Sequence, residues 1–355
     1  MRILDDPGRM RDHDPGGMSG HIERFPDLLE EGSAIARGAA LTIDADGATS
    51  AIVLGMGGSA IGGELAAGYA ADELGVPMCV VRDYACPAFV GADTLVVASS
   101  YSGNTEETLA AHAAASDRGA RVVCVTTGGR LREEAERLGQ DVVAIPGGLP
   151  PRAALGYSLS ALLVVLERLG LVRDQKAALA EAVAVAREAA GRYGLDRPVA
   201  ENRAKEIAVW LHGGIPVVYG APPWTSAVAT RWCGQLSENA KTIGHRNELP
   251  EMSHNEIVGW SAAQPLAGAA RVVFLRDIGE HSRTARRAEL TAQAVAGAGA
   301  EVRDERGFGE SKLARLVSLV LLGDFVSFYV AVLGGVDPTP VEPIERLKEA
   351  LAEEF

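Results

Sequence analysis

The 355-residue chain is short of basic charge and of cysteine, and it lacks an unbroken long apolar run. Its 34 Lys and Arg stand against 47 Asp and Glu, a formal charge of −13. That balance argues against nucleic acid and against a membrane as partners, since both are gripped by basic patches. Any phosphate must therefore be held locally, against the overall field. The four cysteines (Cys79, Cys86, Cys124, Cys233) show no C-x-x-C spacing, so they suggest neither a disulfide framework nor a Cys-type zinc site. They read as buried thiols of a cytoplasmic protein. Met1 to Gly20 is charged and rich in Gly and Pro, without the apolar core of a signal peptide. The most apolar stretch, 313–333, carries Arg315 and Asp324, with Ser318 and Ser327 between them. That composition predicts a buried core helix rather than a membrane span.

What is present is an alternation of short apolar runs and helical patterns. Strands are predicted at 51–55, 76–82, 94–99, 121–126 and 141–145, with helices from about Ser59, over 106–118 and over 131–138. Continuous apolar strands separated by helices indicate a parallel sheet covered on both faces. Helical sequence dominates from Tyr157 to His212, broken near 195–198. The rhythm then restarts: strands at 215–219, 271–275 and 301–304, helices at 225–240, 283–296 and 312–333. The expected architecture is α/β, with two doubly wound, flavodoxin-like parallel-sheet domains and a helical connection. The boundaries are an N-terminal segment 1–40, a first domain 41–172, a connection 173–212 and a second domain 213–355. The two halves show no strict sequence repetition.

Two loops of the first domain could hold an anion. Gly55-Met56-Gly57-Gly58-Ser59 follows the first strand and opens a helix, where backbone N–H groups and the helix N-terminus favour negative charge. Taken alone, Gly55-x-Gly57-x-x-Ala60 also fits a dinucleotide fingerprint, with Asp83 as the ribose acid, or a purely structural turn. Ser99-Ser100-Tyr101-Ser102-Gly103-Asn104-Thr105 follows the third strand. Several hydroxyls on one loop suit the terminal oxygens of a phosphate monoester, while the bland reading is a helix cap by Asn104 or Thr105. Both loops lie at the carboxyl ends of parallel strands, where open sheets bind ligands. A small phosphorylated metabolite fits best.

These two loops resemble those of sugar isomerase (SIS) domains. The later segments Ser237-Glu238-Asn239-Ala240-Lys241 and Glu248-Leu249-Pro250-Glu251-Met252-Ser253-His254-Asn255-Glu256-Ile257 narrow the resemblance to the bifunctional phosphoglucose/phosphomannose isomerases, over about residues 22–351. The resemblance implies an aldose–ketose isomerase that interconverts glucose 6-phosphate, and mannose 6-phosphate, with fructose 6-phosphate through a cis-enediol. It implies a homodimer in which His254 reaches the partner's site, and no cofactor and no metal. The rivals are a non-catalytic SIS regulator that only binds a sugar phosphate, and an amino-sugar phosphate isomerase.

Such a reaction needs a carboxylate base, a ring-opening group and positive charge near the enediolate. Glu238 matches the family's base; without the family it reads as a surface glutamate, though its apolar, amide-rich surroundings suit a carboxylate of raised proton affinity. His254, in the loop 250–255, matches the ring-opening residue, and imidazole can exchange a proton near neutral pH. Lys312 is the lysine the resemblance pairs with that histidine. A lysine at a helix start opposes the helix dipole, so the position asks for another reason. Arg152 resembles the arginine that steadies the enediolate; otherwise it is a rim ion pair. Gly58, Ser59, Ser100, Ser102 and Thr105, with Arg152, are the expected phosphate and substrate contacts. His245 with Glu248 or Glu251 matches no compact zinc spacing. The second unit shows Gly220-Ala221-Pro222-Pro223-Trp224 where a glycine-rich loop would stand, so one phosphate site per chain is expected.

Overall fold

The computed structural model describes residues 2–262 and 265–352; the outermost residues of the predicted segment 1–40 and domain 213–355 lie outside them. The N-terminal segment, to which composition assigned no elements, holds α1 (Pro7–Asp12), α2 (Met18–Glu23) and α3 (Phe25–Gly38). Two of its glycines and prolines mark element starts: Pro7 is the first residue of α1, and Gly17 precedes α2 at φ +70°. Leu4, Met10 and Met18 are fully buried, which anchors these short helices.

The first sheet contains β1 (Ser50–Leu54), β2 (Met78–Val81), β3 (Thr94–Ser100), β4 (Arg121–Thr126) and β5 (Asp141–Ala144). Its order is β2-β1-β3-β4-β5, parallel throughout. The crossovers carry α4 (Gly57–Ala70), α5 (Glu106–Asp117) and α6 (Gly129–Arg137). This is the flavodoxin-like order, whose direction reverses between β1 and β3, so the loops after those two strands flank one crevice. The sheet is Val- and Ala-rich because both faces are covered: Val53 and Val97 face one core, Ile52 and Val96 another.

After α7 (Leu155–Arg168), α8 (Lys176–Tyr193) and α9 (Arg203–Leu211), a second parallel sheet forms from β6 (Ile215–Gly220), β7 (His245–Glu248), β8 (Ala270–Arg276) and β9 (Glu301–Arg306). Its order, β7-β6-β8-β9, repeats the first pattern less one strand, so the duplication that the sequence hides is present in topology. Around it lie α10 (Thr225–Glu238), the short α11 (Glu256–Trp260) and α12 (Leu266–Ala269), α13 (Ser282–Gly297) and α14 (Lys312–Gly334); α15 (Glu342–Ala352) follows, exposed from Glu342 to Leu351. β7 was not expected. Its sequence, HRNE, has no apolar run, because it is an edge strand with exposed residues.

One apolar core runs between the sheets, joining Val53 and Val97 of the first to Val218 and Val273 of the second through α3, α7, α8 and α14. α14 is long and apolar enough to cross a membrane, yet 94% of its most apolar window is buried in the protein. Ser311 caps its start by accepting the Ala314 N–H, and Gly335 ends it at φ +67°. Gly323 lets the indole of Trp232 lie against the helix, since a Cβ there would come within 2.2 Å of Trp232 Nε1. That indole donates to Leu319 O at 2.9 Å, which pins α10 to the core.

Candidate active site

The glycine loop sits where β1 meets α4. Met56 is the N-cap but provides no side-chain cap; the Ser59 N–H turns back to Met56 O at 3.1 Å, which leaves the Gly57 and Gly58 N–H groups to solvent or a ligand. Gly57 takes φ +50°. Gly58 has a different reason to be glycine: a Cβ would come within 2.7 Å of Pro151 O and 3.5 Å of the Arg152 Cα. That close approach places Arg152, in the short helix Pro151–Ala154, beside the anion-binding end of α4.

On the neighbouring loop, Ser100 Oγ and Thr105 Oγ1 meet at 3.0 Å, while Ser102 is exposed. Thr105 is the N-cap residue of α5, yet its side chain makes no capping bond. Its hydroxyl therefore turns to the loop interior. Ser59 joins the two loops: it is buried, and its Oγ accepts the Tyr101 N–H at 3.2 Å.

Across the crevice stands α10. Thr230, Arg231, Gly234, Gln235 and Glu238 form one helical face, spaced i, i+1, i+4, i+5 and i+8. With Gly57, Gly58, Ile61, Arg82 and Arg152 they line a cavity of about 180 Å³. Glu238 Oε2 stands 3.5 Å from Arg152 Nη1, with Arg152 3% exposed and Glu238 33%. Sequence surroundings suggested few charged neighbours for Glu238; the structure corrects this, because Arg82 and Arg152 arrive from other elements and Arg231 from two turns back. Burial pulls the Arg152 guanidinium below its ordinary pKa, while Glu238 pulls it back up.

Arg152 is tightly held. Its Nε donates to Asn239 Oδ1 at 2.7 Å, and its Nη2 donates to Pro338 O and Thr339 O at 2.7 and 2.8 Å. Arg231 pairs with Asp324 through both oxygens, at 3.0 and 2.8 Å, and also donates to Arg152 O at 2.9 Å. Burial pushes the Asp324 carboxyl up, against the pull of the Arg231 and Gln235 donors. Lys241, at φ +52°, closes the end of α10 by donating to Glu238 O at 3.0 Å and to Asp337 O at 2.6 Å. The motif Ser237–Lys241 thus supplies an acid, a holder for the arginine and a helix clamp. Arg82, Arg231, Asn239 and the strap 337–339 were missed from sequence. Only the i−7 spacing of Arg231 from Glu238 could have flagged one of them.

Two predicted residues lie elsewhere. Lys312 Nζ donates to Tyr69 O at 2.6 Å, pairs with Asp72 and lies 5.3 Å from the Tyr69 ring. Tyr69 is twelve residues along α4 from Gly57, about 18 Å at the helical rise. The structure therefore does not bring Lys312 to this cavity, and the reason its position asks for is the C-terminal end of α4, where a cation suits the dipole. His254 ends a short 3-10 helix, Glu251–His254, where a loop was expected; it is exposed, and it does not line the cavity. Next to it, Glu256 accepts from Asn247 Nδ2 at 2.5 Å, pairs with Tyr219 OH and meets His245 Nε2 at 3.0 Å. Among the described residues no group of three or more His, Cys, Asp or Glu side chains could hold a metal ion.

Residues 200–351, which include Glu238 and His254, match the bacterial phospho-glucose isomerase C-terminal SIS domain family. A bifunctional phosphoglucose/phosphomannose isomerase of Caldicellulosiruptor bescii is 41% identical over 94% of this chain and 98% of its own. One from Aquifex aeolicus is 39% identical over 84% and 89%. In fold, the chain is similar to a hypothetical protein of Thermus thermophilus, with a TM-score of 0.73 at 20% identity, covering 98% of this chain and 93% of that one. Identity at the level of these two relatives, over most of this chain and of theirs, settles the kinship: the chain belongs to the bifunctional phosphoglucose/phosphomannose isomerase family.

Proposed function

We propose that this chain is an intramolecular oxidoreductase that interconverts glucose 6-phosphate and mannose 6-phosphate with fructose 6-phosphate. The observation that carries this reading is the placement of Glu238 and Arg152 at 3.5 Å, across a cavity whose other wall is the glycine loop at Gly57 and Gly58. The phosphate would rest on the α4 N-terminus and on the hydroxyls of Ser100, Ser102 and Thr105, with Ser59 bracing the two loops. Glu238 would take the C2 proton of the open-chain aldose and return a proton to C1, while a proton passes from O2 to O1 in the enediol, leaving a ketose. Arg152 would neutralise the enediolate oxygens between the two transfers. The aldoses differ only at C2, a stereocentre lost in the enediol, so one base serves both.

Lys312 has no part in this chemistry; it anchors α4. Ring opening falls to His254 of the partner subunit in a cytoplasmic homodimer, because His254 in its own chain faces solvent and stays off the cavity. Mixing His254→Ala chains with Glu238→Gln chains is expected to restore activity once subunits exchange. Exchange without recovery would place the histidine within one chain.

The test of the function is a coupled assay with each aldose phosphate, with and without a chelator. Both are expected to yield fructose 6-phosphate at rates indifferent to chelation. Tight binding of the sugar phosphates without turnover would favour a regulator instead.

A further inference from the structure

We infer that Asn239 is a positioning residue that, with the carbonyls of Pro338 and Thr339, holds Arg152 back from full pairing with Glu238. The inference rests on the reading of Glu238 as the base. Asn239 is fully buried at the end of α10, so its amide must be satisfied within the protein. Its orientation is set by α14. The Ser327 hydroxyl spends its proton on Asp324 O at 2.7 Å, so its oxygen can only accept, and it accepts from Asn239 Nδ2 at 2.9 Å. Asn239 Oδ1 is thereby turned toward Arg152, whose Nε–H it accepts at 2.7 Å.

Guanidinium and carboxylate pair most strongly through two adjacent N–H groups on one edge. Here Nε is committed to Asn239 and Nη2 to two backbone carbonyls, which leaves Nη1 alone to face Glu238. At 3.5 Å that approach exceeds the roughly 2.7–2.9 Å of a charge-assisted hydrogen bond. Closer pairing would do two kinds of harm. It would stabilise the carboxylate and weaken it as a base, and it would consume the cation the enediolate needs. The three ties fix the spacing at which Arg152 can serve substrate and still leave Glu238 reactive.

The other charges near Glu238 are accounted for. Arg82, reaching the cavity from the end of β2, is paired with Glu64 at 2.6 Å. Arg231 is bound to Asp324 of α14, and Lys241 to the carbonyls that end α10 and to Asp337 O. Asp337 faces Arg152 and Lys241 from the strap, and His21 of α2 faces Arg152. None of these charged groups is bonded to the Asn239 side chain, whose partners are Arg152 Nε and Ser327 Oγ.

The test is the pH profile of kcat, whose acid limb reports the base in the enzyme–substrate complex. In Asn239→Ala, Arg152 closes on Glu238. The acid limb is expected to move down by about one unit, and kcat in the plateau to fall on the order of 10–100-fold while KM changes little. Asn239→Asp keeps the acceptor for Nε but adds a negative charge beside the base, so the limb is expected to move up. A residue that merely supports the fold would lower melting temperature and leave the acid limb of Asn239→Ala in place, and that result would overturn the inference. Should Asn239→Ala not fold, Asn239→Ser, whose shorter side chain cannot reach Arg152 Nε, decides in its place by the same downward shift of the limb. Glu238→Gln is the control: if it stays active, the reading of the base fails first, whereas an inactive Glu238→Gln with unmoved limbs condemns the role of Asn239 only.

Discussion

Each sheet reverses its strand order beside its first strand, so each half of the molecule builds a crevice from two loops: those after β1 and β3, and those after β6 and β8. The first pair is open, with the Gly57 and Gly58 N–H groups uncapped at α4 and hydroxyls at Ser100, Ser102 and Thr105. The second pair is closed. Pro222 and Pro223 have no N–H to offer, and the Ala221 N–H is taken by Thr225 Oγ1 at 2.7 Å. Trp224 is buried under that loop. After β8 the chain carries Asp277 and Glu280, bound to Arg315 and Arg276, near Asp304 of β9. A phosphate would meet carboxylates there. The shared topology sets where a ligand could sit, and the loop residues leave free donors for an anion in the first crevice and not in the second. Freed from phosphate, the second half supplies α10, which carries Glu238 toward the crevice of the first.

The contrast predicts a division between turnover and binding. The largest effect is expected in the second half: Glu238→Gln keeps size and hydrogen bonding but removes the base, so kcat should fall about 10²–10⁴-fold with KM little changed. A rise in KM at constant kcat would move Glu238 to the binding side. In the first half, Ser102→Ala should raise KM about tenfold, a loss of roughly 1.4 kcal/mol, while lowering kcat less. An unchanged KM for the sugar phosphates would remove that loop from the site.

Two smaller effects test the claim that the second crevice and the far end of α4 are structural. Thr225→Val leaves the Ala221 N–H without its acceptor and should cost about 1–3 kcal/mol in urea unfolding, with KM unaltered. A raised KM would show that phosphate does reach the second loop. Lys312→Ala removes an exposed ion pair worth about 0–1 kcal/mol and should spare catalysis. Lys312 holds the Asp72 carboxyl below its ordinary value. Such a depressed carboxyl lends stability above its unfolded pKa and loses it as pH falls through its folded one. The deficit of Lys312→Ala should therefore be present near neutral pH and vanish in acid. A large loss of kcat in Lys312→Ala would return the lysine to the active site.

Much of this contrast was legible in the chain. The apolar runs at 51–55, 94–99 and 121–126 announce buried parallel strands, and Pro222-Pro223 already excludes a glycine-type loop. β7 was hidden because an exposed edge strand needs no apolar pattern. Glu238 and Arg152 were found through their motifs, but their meeting was not, since it depends on Gly58 admitting Pro151 to van der Waals contact with α4. Asn239 and the strap at 338–339 escaped for the same reason: a buried amide and two backbone carbonyls have no periodicity to betray them. The place of Lys312 in a motif says nothing of where its side chain turns, and in the fold it turns to Tyr69 O and Asp72.

The account turns on proton transfer by a base in one half acting on a substrate held by the other, and solvent isotope exchange separates those acts. In deuterated water, the parent enzyme should place deuterium at C2 of recovered aldose and at C1 of ketose. Glu238→Gln, still binding glucose 6-phosphate with near-parent affinity, should place none. Deuterium appearing in both proteins at equal rates, or an active Glu238→Gln that retains the migrating hydrogen in full, would contradict the account.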